Sequence, residues 1–320
     1  MKILVTGAAG FIGSTLSHRL LAEGHEVVGY DNFNDYYDVR LKEARHARLE
    51  KLTGYRGVRG DLCDYELLLK LFAAEKFDRV VHLAAQAGVR YSIERPFAYL
   101  KANLEGTLTI LEACRHNGVP RLVYASSSSV YGSNTKMPFS EEDRVDNQVS
   151  LYGATKKSNE LMANVYSHLY GLQTVGLRFF TVYGPWGRPD MAMWMFTRDI
   201  LAGKPISVFN HGEMMRDFTY VDDIVQGIRA CVLKDGLDTC EVFNLGNHRS
   251  ERLLDMIGGI ETALGKKAVL NLMPIQPGDV PATYADISRA QTKLGFEPTT
   301  PISVGIPNFV RWYKEYHGIR

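Results

Sequence analysis

The sequence predicts an α/β protein: a doubly wound parallel sheet joined to a smaller α/β domain. Three observations carry that expectation. In the first half of the chain, short apolar runs alternate with amphipathic stretches. The runs are apolar at successive positions, as strands covered on both faces by crossover helices must be. After Phe179 the alternation loosens, and 320 residues is long for one compact core, so a second unit is expected.

Taken in order, strands are expected at residues 3–6, 26–30, 57–60, 79–83, 122–126 and 174–179. Between them, apolar residues recur at spacings of three and four over 11–23, 67–74, 103–116 and 151–170, the signature of helices with one buried face. Residues 184–189, Gly-Pro-Trp-Gly-Arg-Pro, read as a loop. Beyond it come expected strands near 206–209 and 242–245, and helices over 221–233, 253–264 and 304–316. Residues 42–51 are charge-rich at helical spacing and read as a solvated face.

Composition excludes several classes. Lys plus Arg is 37 and Asp plus Glu is 36, a balance that leaves no electrostatic footprint for nucleic acid or an anionic membrane. Cys63, Cys114, Cys231 and Cys240 form no C-x-x-C pair and read as small buried hydrophobes. The nine histidines show no H-x-x-x-H spacing, so no metal site is expected. His82, on an expected buried strand, reads as a satisfied core residue. No run reaches ~18 apolar residues and no cationic leader precedes the first strand, so a cytoplasmic protein is expected.

Gly7-Ala8-Ala9-Gly10-Phe11-Ile12-Gly13 links the first strand to the first helix with G-x-x-G-x-x-G spacing. Such glycines allow a tight turn and close backbone approach to a pyrophosphate, and the helix N-terminus offers it free N–H groups and positive dipole charge. Asp31 closes the second strand, where an acid accepts from adenosine ribose hydroxyls and repels a 2′-phosphate; NAD is therefore favoured over NADP in this Rossmann architecture. Asn32 follows it. Asp61 and Leu62 sit after the third strand; Asp61 serves equally well as an adenine contact or as a helix N-cap. Leu83, Ala84 and Ala85 end the fourth strand with small residues that suit either a dinucleotide or helix packing.

Tyr152 and Lys156 lie one turn apart on one helix face. A phenol titrates near ~10, and a nearby ammonium or a positive nicotinamide ring would favour its anion, making it a base for a sugar hydroxyl. Ser126–Ser129 end the fifth strand at the carboxyl edge where such sheets bind ligands, and Ser127 could relay a proton.

The glycine loop, Asp31, the segment Ser-Ser-Ser-Ser-Val-Tyr-Gly at 126–132 and Tyr152-x-x-x-Lys156 together resemble the extended short-chain dehydrogenase/reductase family, across essentially the whole chain. The best resemblance is to its nucleotide-sugar 4-epimerase branch. That implies hydride passing from sugar C4 to NAD and back to the opposite face of a 4-keto intermediate, with Tyr152, Lys156 and Ser127 catalytic. It also implies residues 1–178 plus about 219–247 as the NAD-binding domain, 179–218 plus 248–320 as the UDP-sugar-binding domain, and a homodimer built on helices 103–116 and 151–170.

Two features narrow the sugar. Dehydrating and decarboxylating relatives carry an acid before the Val-Tyr-Gly triplet; here Ser128 and Ser129 stand there. The segments 181–192 and 31–38 resemble those of UDP-glucuronate 4-epimerases. The resemblance makes Ser127, Ser128, Ser129, Thr181 and Arg188 the sugar contacts, with Arg188 gripping a carboxylate as a planar fork. Arg90 is a rival partner for that carboxylate, and a surface charge is the plain alternative for Arg188. By the same resemblance Ser207 and Phe209 meet uracil, Arg216 the diphosphate and Asp279 the ribose, with Arg289 a weaker candidate. Epimerisation of UDP-glucose or its N-acetylated form, decarboxylation or 4,6-dehydration of the sugar, and a catalytically idle NAD(H) sensor remain alternatives.

Overall fold

In the computed structural model, which describes residues 1–276 and 278–319, seven parallel strands form the central sheet. Their order is Cys240–Leu245, Gln173–Phe179, Arg121–Ser127, Arg79–His82, Lys2–Thr6, Glu26–Asp31 and Tyr55–Arg59. All six anticipated strands of the first half are present, and so is the late strand that closes one edge. Ile3, Leu4 and Val5 are wholly buried, which is why the first strand is apolar without alternation. Strand order reverses between Lys2–Thr6 and Arg79–His82, and the crevice above that reversal is where such sheets bind ligands. The crossover helices Phe11–Ala22, Tyr65–Glu75 and Leu151–Tyr170 lie where periodicity placed them.

The sheet departs from the sequence reading in two places that matter for the site. The expected helix at 103–116 starts earlier, as π-helix over Leu100–Glu105 that passes into α-helix at Gly106–His116. Within the wide turn, the Asn103 amide accepts from Gln86 N (2.8 Å) and donates to Gln86 O (3.0 Å) and Thr155 Oγ1 (3.0 Å). It thereby pins the loop after the fourth strand to the Tyr152 helix. The second departure corrects the solvated-face reading of 42–51. Val39–Leu49 is a helix capped by the Asp38 side chain, and Lys42, Arg45 and His46 on it are buried. Their polar ends are satisfied internally; the Lys42 ammonium, for example, donates to Asn34 O at 2.7 Å. Periodicity cannot distinguish such a helix from a solvated one, because the buried face is cationic rather than apolar.

The remaining residues build a second core. Ala192–Leu201, Leu253–Leu264 and Ile302–His317 pack around Trp194, Ile206, Phe218, Met256 and Phe309. Trp194 and Phe196 lie in this core, as expected of residues that pack. Burial of each such side chain is worth about 1.5–3 kcal/mol. The small strand pairs here, Thr181–Tyr183 with Phe218–Tyr220 and Pro205–Val208 with Val269–Leu272, are too short for a period-2 signal. His82 is satisfied by Thr6 Oγ1 (2.8 Å) and Thr107 Oγ1 (3.2 Å), and burial lowers its pKa to about 3, so it is a neutral core residue.

Candidate active site

A cavity of about 940 Å³ runs from the carboxyl edge of the sheet into the second core. Apart from the weaker candidate Arg289, the residues singled out in the sequence as cofactor, catalytic or sugar-nucleotide contacts line it. At one end, Gly7 adopts φ +71°, and a Cβ there would stand 2.8 Å from Ala84 N. A Cβ on Gly13 would stand 2.1 Å from Gly7 O. The turn and the packing of helix against strand therefore both require glycine. Gly10 caps the helix Phe11–Ala22 with no side-chain bond and no acid in the first turn, which leaves its N–H groups for an anion. Phe11, Ile12, Leu83 and Ala85 complete the walls.

The Asp31 carboxylate accepts from Ala9 N (3.0 Å) and Phe33 N (2.8 Å), which fixes it beside the glycine loop. Asp61 accepts from Cys63 N (2.9 Å) and Asn32 Nδ2 (3.0 Å). The N-cap of the following helix is Asp64, so the capping alternative for Asp61 falls. Leu62 packs next to it. A cradle that a Cβ would fill, an uncapped helix end and an acid at the end of the second strand fit NAD.

At the other end, Ser150 caps Leu151–Tyr170 through Gly153 N (3.1 Å) and so aims Tyr152 and Lys156 into the cavity. The Lys156 ammonium donates to Ala125 O at 2.9 Å, and burial lowers its pKa to about 8. Burial raises the Tyr152 phenol above its ordinary range, and what opposes this is the Ser127 hydroxyl and the Arg188 guanidinium. The Lys156 ammonium is thus held against the fifth strand, and Arg188 joins Ser127 in drawing the phenol pKa back down. Ser127 Oγ also donates to Ser129 Oγ at 3.2 Å, beside Ser128 at the start of the turn Ser128–Tyr131.

Arg188 is not a surface charge. Its Nε–Nη2 edge pairs with Asp190, whose carboxylate also accepts from Tyr36 Oη at 3.1 Å. With that edge held, the Nη1 end of the planar fork is oriented for another acceptor. Thr181 is fixed by its N–H to Asp217 O at 3.1 Å. The rival, Arg90, lies elsewhere: it pairs with Asp279 at 3.1 Å and its guanidinium sits 4.7 Å over the Phe209 ring. Arg216, half-buried, donates to Met215 O (2.8 Å) and Pro281 O (3.2 Å) and lines the cavity with Ser207. Arg289 pairs with Glu142 and does not line the cavity.

The pattern defining the NAD dependent epimerase/dehydratase family matches residues 3–246. The chain belongs to that family. This family member lies in the nucleotide-sugar 4-epimerase branch of the extended short-chain dehydrogenase/reductases. It is 52% identical to UDP-glucuronate 4-epimerase 4 of Arabidopsis thaliana, over 99% of this chain and 76% of the relative. Its structure matches that of UDP-glucuronic acid 4-epimerase from Bacillus cereus in complex with UDP-glucuronic acid and NAD, with TM-score 0.94, 38% identity, and coverage of 99% of this chain and 100% of the other. It also matches UDP-glucose 4-epimerase of Thermotoga maritima with UDP-glucose, with TM-score 0.89, 31% identity, and coverage of 99% and 100%.

Several residues of this epimerase-family site had escaped the sequence reading. Glu160, one turn beyond Lys156, takes both Arg178 Nε and Nη2 at 2.9 Å and accepts from Ser126 Oγ at 2.7 Å. This buried pair ties the serine run to the Tyr152 helix; the spacing 152, 156, 160 was its available signal. Tyr36 and Asp190 lie within the segments 31–38 and 181–192, and Asn103 in the π-helix, but none of the three was singled out.

Proposed function

We propose that the protein is an NAD-dependent UDP-glucuronate 4-epimerase that interconverts UDP-glucuronate and UDP-galacturonate through a 4-keto sugar. The observation that carries the reading is the placement of Arg188. A partly buried guanidinium, held on one edge by Asp190, lines the same cavity as Tyr152 and the serine run. A uronate carboxylate matches the remaining edge of that fork in charge and planar geometry, which the hydroxyls of a neutral sugar do not. The names of the Arabidopsis and Bacillus relatives agree with it.

NAD, when bound, supplies acceptance and return of the hydride at C4. Gly7, Gly10 and Gly13 admit its pyrophosphate to the helix end, and Asp31, Asn32, Asp61 and Leu62 hold the adenosine side. Leu83, Ala84 and Ala85 leave room along its length. Tyr152 takes the proton of the C4 hydroxyl and restores it, with Ser127 as relay and Lys156 orienting the ribose and the phenol. The oxidised sugar is a β-keto acid, which loses CO₂ most readily when its C5–carboxylate bond stands perpendicular to the carbonyl plane. Arg188, Ser128, Ser129 and Thr181 hold that bond away from the perpendicular. Ser207, Phe209, Arg216 and Asp279 take the uridine diphosphate, with Arg90 joining Asp279.

The two units implied by the sequence, 1–178 plus about 219–247 and 179–218 plus 248–320, divide this labour between cofactor and sugar nucleotide. We further assign a cytoplasmic homodimer. Among the described residues no helix is long and apolar enough to cross a membrane. Leu161, Val165 and Leu169 form an exposed apolar stripe along the Tyr152 helix, near exposed Leu108 of the neighbouring helix, which supports pairing there.

The test is to offer UDP-glucuronate, UDP-glucose and UDP-N-acetylglucosamine separately and identify the products by NMR. Formation of UDP-galacturonate alone is expected. Conversion of a neutral sugar with none of the uronate would overturn the substrate, and an inert but NAD-binding protein would overturn the chemistry.

A further inference from the structure

The buried cationic helix Val39–Leu49 contains an arginine with an unusual set of partners. Arg45 is fully buried, and none of its hydrogen-bond partners is a carboxylate. Its Nη1 donates to Ala9 O (3.2 Å) and Tyr37 Oη (2.7 Å). Its Nε donates to Trp186 O (3.1 Å), and its Nη2 to Trp186 O (2.6 Å) and Gly187 O (2.9 Å). All five N–H groups of the guanidinium are thus engaged. The acceptors belong to three segments: the glycine loop, the loop after the second strand, and the loop that carries Arg188 one residue further on.

Trp186 is held in an unfavoured backbone conformation, φ +64°, for a residue with a side chain. Its carbonyl takes two Arg45 bonds, and its ring lies 4.4 Å beneath the Arg48 guanidinium of the same helix. A single helix therefore fixes both the main chain and the ring of the residue two before Arg188. Burial of a cation among neutral acceptors is costly, and an apolar side chain would fill the volume without that cost. What an apolar residue could not do is hold two loops at a fixed separation.

We infer that Arg45 is a positioning residue for the reaction. It braces the dinucleotide loop against the Arg188 loop, so that the carboxylate grip and the C4 hydride path stay in register. Its action on substrate runs through Arg188. The inference rests on the UDP-glucuronate reading of the site and names a further residue that sets its selectivity.

The experiment is a double-mutant cycle of Arg45→Met and Arg188→Ala, assayed for KM, kcat and the share of decarboxylated product with UDP-glucuronate. Arg45→Met alone is expected to raise KM about tenfold or more and to increase the decarboxylated share, leaving UDP affinity at the far end unchanged. In the Arg188→Ala background the same substitution should add little, since coupled residues are not additive. Full additivity, or KM and product ratio within about twofold of wild type, overturns the proposal. Should circular dichroism show Arg45→Met unfolded, Arg45→Lys carries the cycle, because an ammonium keeps the charge but cannot span both loops. If the wild type fails to convert UDP-glucuronate, it is the substrate reading that falls. The cycle is then run on whichever sugar nucleotide is converted, where additivity still overturns the role of Arg45.

Discussion

The cofactor end of the cavity is made largely of backbone, whereas the sugar end is made of side chains. Around Gly7, Gly10 and Gly13 the recognition surface is a turn, a helix terminus and the absence of Cβ atoms. Around Ser127, Tyr152 and Arg188 it is hydroxyls and charges whose neighbours set their titration and orientation. The first kind of surface tolerates almost no added volume but is indifferent to the identity of surrounding polar groups. The second keeps its shape after many substitutions and loses its chemistry. Changes at the two ends should therefore fail differently, in binding of the dinucleotide at one and in turnover or product identity at the other.

The sharpest break is expected at the phenol. Tyr152→Phe removes one oxygen from a site whose packing otherwise stays intact, and general acid–base catalysis is worth ~10²- to 10⁴-fold. The kcat for UDP-glucuronate should drop by about that factor, with NAD content unchanged and KM nearly so. A kcat within tenfold of wild type, measured by NMR of the nucleotide sugars, would falsify the assignment of the proton transfer. Next comes Arg188→Ala. Loss of hydrogen bonds to a charged group costs about 1.5–3 kcal/mol, or roughly tenfold to a hundredfold in kcat/KM. The decarboxylated product should rise in parallel. Equal losses of affinity for UDP-glucuronate and for UDP-glucose, measured by binding titration, would mean that Arg188 does not read the carboxylate.

The backbone end is tested by Gly13→Ala. Its methyl group would meet Gly7 O at 2.1 Å, a contact that only a main-chain shift can relieve. Overpacking of this kind costs about 1–3 kcal/mol. NAD affinity, followed by fluorescence titration, should weaken about tenfold to a hundredfold, and saturating NAD should restore much of the turnover. A variant that binds NAD normally yet turns over slowly would erase the proposed division between the two ends.

The same contrast explains what could be read in advance. Gly7–Gly13, Asp31 and Tyr152-x-x-x-Lys156 are local: each is a few residues whose spacing along a turn or helix already fixes their geometry. Most of the seven parallel strands were legible for a similar reason, since Ile3–Val5 and their counterparts in the middle of the sheet are buried on both faces, although the edge strand Tyr55–Arg59 is not. The sugar end depends on contacts between residues far apart in the chain. Tyr36 meets Asp190 across 154 positions, and Arg45 meets Trp186 across 141. No spacing rule reports those encounters. A buried arginine on a helix without an apolar stripe looks, in sequence, like one facing water. The electrostatics show the same limit: Arg188, which lowers the phenol pKa, comes from a loop that no spacing rule links to Tyr152.

The smallest expected effect is on stability, and it carries opposite signs at two buried groups, Lys156 and Asp217. Burial lowers the Lys156 pKa from 10.5 to about 8, so between those values the unfolded chain holds a proton that the folded one has lost. Stability of the NAD-free protein should therefore rise with pH across that window, the cost of the buried ammonium being fully present below pH 8. Asp217 behaves in the reverse sense. Although its carboxylate accepts from Ala285 N (3.1 Å) and Thr219 Oγ1 (3.1 Å), burial raises its pKa from 3.8 to about 6. Here the folded chain keeps a proton that the unfolded one releases, so stability should fall as pH rises from 3.8 to 6. Each displacement corresponds to at most roughly 3 kcal/mol. Urea unfolding of wild type, Lys156→Met and Asp217→Asn at pH 5, 7 and 9 separates them. The advantage of Lys156→Met over wild type should shrink between pH 7 and 9, and Asp217→Asn should gain on wild type between pH 5 and 7. Curves that run parallel for all three proteins would show that neither buried charge is held as its surroundings require.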